Sequence, residues 1–309
     1  MSDHNEGAPS SSTSSNSGVS VRSNTEATLQ TEPWTTIIEP KTGIFSVRIS
    51  ELWHYRDLVG LLVRRDIQTV YKQTVLGPLW FIIQPVITTV IYTFVFNRMA
   101  GLSTSGIPAI LFYFSGTMLW HYFQACLSNV SDTFVSNAAL FGKVYFPRLV
   151  IPISKVISNL VSLGIQIASL IVIYAYFMII GQIGLPGFQI LFLPIIIVWL
   201  AILASGFGMV ISALTTKYRD LRQLLAFGLQ LWMYATPIVY PLAQIPANLR
   251  WVAYINPVTA PIELSRAVIF GTSLPDSGIV LTSVVSTTLI FLFGMILFHK
   301  NENTFIDVV

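Results

Sequence analysis

Glu263 and Arg266 stand three residues apart, the spacing at which a carboxylate and a guanidinium meet on one helix face. Little else in the chain is placed for chemistry. His121 and the single cysteine, Cys126, both fall inside long apolar runs. There a lone histidine reads as a helix–helix hydrogen bond and a lone thiol as a small hydrophobe. No G-x-x-x-x-G-K-[ST] loop offers backbone N–H groups to a phosphate, and no H-E-x-x-H helix or G-x-S-x-G turn is present. Catalytic and metal-ligating residues are therefore expected to be none. Two polar stretches could meet a partner. TTKYRDLRQLL at 215–225 holds Asp220 within reach of Lys217 or Arg219. LFGKVYFPRLVIP at 140–152 mixes Lys143 and Arg148 with Leu140, Phe141, Val144, Tyr145 and Phe146, a combination that suits a protein groove with an acidic rim. A chain without an engine must be passive or borrow one.

The elements that position these residues are set by composition. The 309 residues are 53% hydrophobic and 10% charged, with mean hydropathy +0.69. A soluble domain carries about 25% charged residues, so a water-facing surface cannot be assembled from this inventory. Residues 79–96, 99–131, 156–216, 223–249 and 277–298 contain no Asp, Glu, Lys or Arg. GQIGLPG at 181–187 divides the longest run in two. At about 20 residues per crossing, six spans are expected near 79–97, 108–131, 156–180, 188–214, 224–241 and 278–298. Arg56, Arg64, Arg65, Lys72, Lys143, Arg148, Lys155, Lys217, Arg219, Arg222 and Lys300 then share one side, against Arg98, Arg250 and Arg266 on the other. The positive-inside rule places both termini in the cytoplasm.

Residues 1–44, rich in Ser, Asn and Thr and lacking an apolar signal segment, are expected to form a disordered cytoplasmic tail. From 45 to 77 the chain turns amphipathic. Leu52, Tyr55, Val59, Leu62, Val63 and Ile67 recur at three- and four-residue intervals, opposite Arg64, Arg65 and Lys72. That pattern predicts a helix lying in the membrane interface, or one packed on a protein partner. The fold class expected is an all-α integral membrane protein with this interface helix and a six-span domain at 78–309. Prolines 246, 257, 261 and 275 cut the segment before the last span into short re-entrant or surface helices.

Several motifs in this order resemble the membrane subunit of ABC-2 type polysaccharide exporters, the family of O-antigen, capsule and teichoic-acid permeases. They are YRDLVGLLVRRDI and YKQTVLGPLWFIIQP within 55–85, then Gly116, Trp120 and Phe123, then KVYFPRLVIP at 143–152. YRDL at 218–221, QLWMYATPIVYP at 230–241, and Asn256, Pro257, Ile262, Glu263 and Arg266 follow. Val70 and Thr236 depart from the family's usual basic residue and serine.

The resemblance implies a homodimer in the bacterial inner membrane, with two copies of an ABC ATPase subunit that hold ATP and Mg. No cofactor would be bound by this chain, and no nucleic acid. Leu140, Phe141, Lys143, Val144, Tyr145, Phe146 and Arg148 would form the coupling helix. Arg64, Arg65, Asp66, Tyr218, Arg219 and Asp220 would add cytoplasmic contacts. The cargo would be a lipid-linked polysaccharide. Sliding sugars need weak, repeated contacts, which aromatic rings supply to C–H faces. Trp80, Tyr92, Tyr113, Trp232, Tyr234 and Tyr240 are the candidate lining, with an aromatic belt as the alternative reading. Glu263 and Arg266 would form an outer gate. Rival functions are an ABC-2 exporter of drugs or small lipids, and a passive channel or scaffold.

Overall fold

The computed structural model describes residues 53–72, 77–141, 146–215, 218 and 220–306. The tail 1–44, the start of the interface segment, and Lys143, Val144, Tyr145, Lys217 and Arg219 lie outside the described residues. Among the described residues every regular element is helical.

Helix α1, Arg56–Lys72, carries its apolar stripe as the periodicity predicts. Leu62 is buried, and Tyr55, Leu58 and Val59 pack beside it on Phe146, Val150 and Ile151. The opposite face is exposed, so the helix is packed on this same chain along one side only. Helix α2, Trp80–Tyr92, runs into a π-helical turn at Thr93–Met99. Helix α3, Ala109–Ser131, leads to two short helices, α4 at Thr133–Ser136 and α5 at Ala138–Phe141. Helices α6, Val150–Ile179, and α7, Leu193–Thr215, follow, and then α8, Leu221–Ala235. The chain closes with α9 at Arg250–Ile255, α10 at Thr259–Phe270 and α11 at Ser277–Ile306.

Four helical segments among the described residues are long and apolar enough to cross a membrane: Trp80–Met99, Val150–Ile179, Phe188–Thr215 and Ser277–Asn301. Two of the six expected spans differ from these. Helix α3 has 23 residues, about 34 Å at 1.5 Å per residue, but Ser115, Thr117, His121, Gln124 and Ser128 lower its hydropathy. It tolerates them because neighbours surround it. Helices α2, α6, α7 and α10 pack on it, and it is buried almost all round. The expected helix at 224–241 stops early. Helix α8 ends at Ala235 after 15 residues, about 22 Å and short of the ~30 Å hydrocarbon core. Thr236 takes an extended conformation, as a residue before proline prefers, and Pro237 brings no N–H to continue the ladder. Residues 236–239 continue as a buried, irregular segment.

Close backbone contact joins α7 to α11. A Cβ on Gly206 would stand 2.9 Å from the Phe291 Cα, so the two helices touch where no side chain fits. The short helices before the last span divide into two kinds. Helix α9 exposes Trp251 and Ile255 on the surface. Helix α10 is inserted among α3, α7 and α11 with most of its residues buried. It ends at Gly271, whose φ of 70° is the left-handed cap that glycine accepts without strain.

Candidate functional site

The inserted helix α10 carries the most completely enclosed charge among the described residues. Arg266 is 2% exposed. Its Nη1 donates to Glu263 Oε1 at 2.9 Å and to the Pro237 carbonyl at 2.6 Å, while Nη2 donates to the Ile238 carbonyl at 2.8 Å. The guanidinium lies 3.7 Å from the centre of the Phe112 ring. The irregular segment after α8 is therefore what frees two carbonyls for Arg266. Gly116 makes room for the group, since a Cβ there would stand 2.7 Å from Arg266 Nη2.

Just before α10, Asn256 knits the same elements together. Its Nδ2 donates to Thr236 Oγ1 at 2.8 Å, and its Oδ1 accepts from the Trp232 indole N–H at 3.0 Å and the Val258 N–H at 3.1 Å. Ser283 of α11 donates to the Pro257 carbonyl at 2.5 Å. Three of the separated motifs thus converge on one node: Gly116 of α3, Trp232 and Thr236 of α8 and its extension, and Asn256 before α10 with Glu263 and Arg266 within it. Asn256 and Thr236 had no assigned role in the sequence reading. Their signal was an Asn and a Thr each standing directly before a proline, where freed backbone groups need partners. Beyond the node, Asp276 caps α11 through the Gly278 N–H at 3.2 Å and accepts from the Tyr254 hydroxyl at 2.5 Å. Those two bonds hold its carboxyl below the usual range, the tyrosine contributing most.

The aromatic residues separate into two groups. Tyr113 is fully buried. Trp232 packs edge-on against Phe207, Phe123 and Trp120, with ring centroids 5.0, 5.4 and 6.2 Å away. Tyr113 is thus packed inside this chain, and Trp232 packs on these rings while staying partly accessible. Tyr92 sits between Phe96 and Tyr113, and its hydroxyl donates to the Met233 sulfur at 3.7 Å. The Tyr240 hydroxyl donates to the Tyr234 carbonyl at 2.9 Å. Tyr234 and Trp80 are each close to half exposed, at 46% and 50%. Tyr234 lies on the face of α8 that also exposes Leu224, Phe227 and Leu231, and α2 exposes Ile87, Val90 and Ile91, followed by Phe94 in the π-helical turn.

At the opposite, basic end, rings form a connected path. Phe298 of α11 stacks on Phe134 at 4.6 Å, Phe134 meets Phe141 at 6.0 Å, and Phe141 stacks on Phe146 at 5.7 Å. Phe146 is buried against Leu62, Val150 and Ile151, with half-buried Leu140 beside them, and the Arg148 guanidinium lies 5.2 Å over Phe141. Of the expected docking residues, Phe146 and Arg148 thus face their own chain and mount the segment. Lys143, Val144 and Tyr145 lie outside the described residues. Asp66 likewise turns inward. It accepts from Arg65 at 3.0 Å and from Lys155 at 2.7 Å, which ties α1 to α6. Arg64, Tyr218 and Asp220 remain exposed. Sequence reasoning missed the ion pair of Arg222 with Asp132 at 2.7 Å, which joins α8 to the end of α3 across 90 residues of chain.

The family model of the ABC-2 type transporter matches residues 57–270, a stretch that runs from α1 to the end of α10. The chain belongs to the ABC-2 type transporter family. Among its relatives is the O-antigen export system permease protein RfbA of Klebsiella pneumoniae, 28% identical over 82% of this chain and 95% of that protein. The protein of the same name from Myxococcus xanthus is 25% identical over 82% of this chain and 96% of its own. The polysialic acid transport protein KpsM of Escherichia coli is 24% identical over 79% and 93%. The Arg266 node lies inside the matched region, and all of α11 lies beyond it. The chain is thus a multi-pass membrane protein of a transporter family, and these relatives are named as permease or transport proteins.

Proposed function

We propose that this chain is the membrane subunit of an ATP-driven exporter that carries a lipid-linked polysaccharide out of the cytoplasm. The observation that carries the reading is agreement along nearly the full length of proteins named for O-antigen export and polysialic acid transport. Two copies of the chain sit in the bacterial inner membrane with two ATPase subunits that hold ATP and Mg. Each copy crosses six times, with α3 as the shielded second span and α8 with its irregular extension as the fifth, and both termini are cytoplasmic. The segment Leu140 to Arg148 transmits movement of the ATPase. Lys143, Val144 and Tyr145 make the contact, while Phe141 and Phe146 pass the displacement to α1 and α6. Trp80, Tyr92, Tyr234 and Tyr240 offer rings and hydroxyls to passing sugars. Glu263 and Arg266 hold the outer end closed between steps.

A single strain tests both halves of the reading. The chain is deleted and replaced by a Cys126→Ser, Tyr145→Cys form. Deletion is expected to remove a surface polysaccharide and leave lipid-linked chains inside the cell, and the replacement to restore export and crosslink to a P-loop ATPase. A functional replacement that captures no ATPase overturns the coupling role. Unchanged surface glycan with altered drug sensitivity would overturn the cargo.

A further inference from the structure

Helices α7 and α11 meet at three levels, and the three pairs share one register. The Trp199 indole N–H donates to Thr287 Oγ1 at 2.9 Å. Gly206 and Gly294 face each other at the next level. A Cβ on Gly206 would stand 2.9 Å from the Phe291 Cα, and one on Gly294 would strike the Gly206 carbonyl. At the third level Asn301 Nδ2 donates to the Ala213 carbonyl. The partners at each level lie 88 residues apart, and successive levels are seven residues apart on both helices. Two helical turns take about 7.2 residues, so the three levels form one seam on parallel helices. The seam is about 21 Å long at 1.5 Å per residue. Sliding by one residue would strip two hydrogen bonds of their partners and drive side chains into a gap that admits only glycine.

This locked pair is attached at both ends. At the basic end, Phe298 of α11 is fully buried and stacks on Phe134 at 4.6 Å, with the ring planes 26° apart. Thr215 of α7 donates there to the Ser131 carbonyl at 3.3 Å. The rings continue from Phe134 through Phe141 to Phe146, within the Leu140 to Arg148 segment. At the other end, Ser283 donates to the Pro257 carbonyl at 2.5 Å and Thr282 to the Tyr254 carbonyl at 3.2 Å. Helix α10, which carries Arg266, packs on both helices. We infer that α7 and α11 move as one body, a register-locked strut that carries displacement of the Leu140 to Arg148 segment to α10 and the Arg266 node. Phe298 is the positioning residue at its driven end. Close-packed rings barely compress, so a push on Phe141 reaches Phe298 with little loss. The inference rests on the coupling role proposed above and adds the route by which that movement crosses the bundle.

The test bridges the pair. In the Cys126→Ser chain, Trp199→Cys and Thr287→Cys are joined by a methylene-linked bis-methanethiosulfonate, and surface glycan is measured per folded copy in the deletion strain. Export by the bridged protein is expected to match that of the unbridged one. Phe298→Ala is expected to lower glycan exported per ATP hydrolysed about tenfold, a typical size for coupling between sites. ATP hydrolysis and capture of the ATPase by Tyr145→Cys should persist. Phe298→Leu, which restores bulk, should recover most of the export. A bridge that arrests export while capture persists shows that the helices slide past one another, and overturns the inference alone. An unchanged ratio of export to hydrolysis in folded Phe298→Ala protein overturns it too. The bridge decides the matter even where Phe298→Ala accumulates no folded protein. Absence of capture in the unbridged protein would overturn the coupling role and this route with it.

Discussion

Charge is held in opposite ways at the two ends of the helix bundle. At the Arg266 node the guanidinium is sealed, and its partners are two backbone carbonyls, one carboxylate and an aromatic face. At the basic end, Asp132 and Arg222 pair with side chains about 40% exposed, while Lys155 and Asp66 pair with theirs about 20% exposed or less. A charge without water is stable only while every partner stays in place, so the node is an all-or-none clasp. A charge at a wet surface can lose its partner and turn to solvent, so the basic end can yield without unfolding. In the exporter proposed above, driven from the basic end, that asymmetry would let the driven end shift in small steps while the far end holds.

The largest effect expected from this contrast comes from Glu263→Gln, which leaves the buried guanidinium without its counter-charge. A loss of about 3–5 kcal/mol should appear as a large fall in the thermal midpoint in detergent. Adding Arg266→Met removes the stranded charge and should recover most of that loss. If the double variant is as unstable as the single one, the node is held by packing and the comparison breaks. Gly116→Ala comes next. A methyl group 2.7 Å from Arg266 Nη2 forces the guanidinium off its carbonyls, at about 1–3 kcal/mol. Export should fall further than stability does, measured as surface glycan per copy of folded protein. Smallest is Arg222→Ala at the basic end, expected to change stability by less than about 1 kcal/mol. The change should vanish in high salt. A loss as large as that of Glu263→Gln would show the two ends to be alike.

Much of this molecule was legible in the chain itself. Scarcity of charge and the length of the apolar runs compel helices in lipid, since each backbone group there must find a partner within its own segment. Spacing alone placed Glu263 beside Arg266, because three residues bring side chains to one helix face whatever surrounds them. The amphipathic stripe of α1 was equally local. The early end of α8 also had a local cause, a proline at 237 inside an apolar run, although apolarity concealed it.

Other features depended on distant segments. No periodicity distinguishes a tryptophan that lines a path from one packed in the core, and only the tertiary structure brings Trp120, Phe123 and Phe207 around Trp232. Nor could local pattern show that Leu62 packs on Phe146 and that Phe141 lies under Arg148. Gly116 is one glycine among 19 in the sequence, and its need is set by a guanidinium 150 residues away. Local sequence determined which residues form helices and which faces are apolar, because backbone hydrogen bonds and side-chain periodicity act over a few residues. Tertiary structure alone decided which polar groups are sealed and which stay open, because desolvation depends on every atom that displaces water, however far apart along the chain.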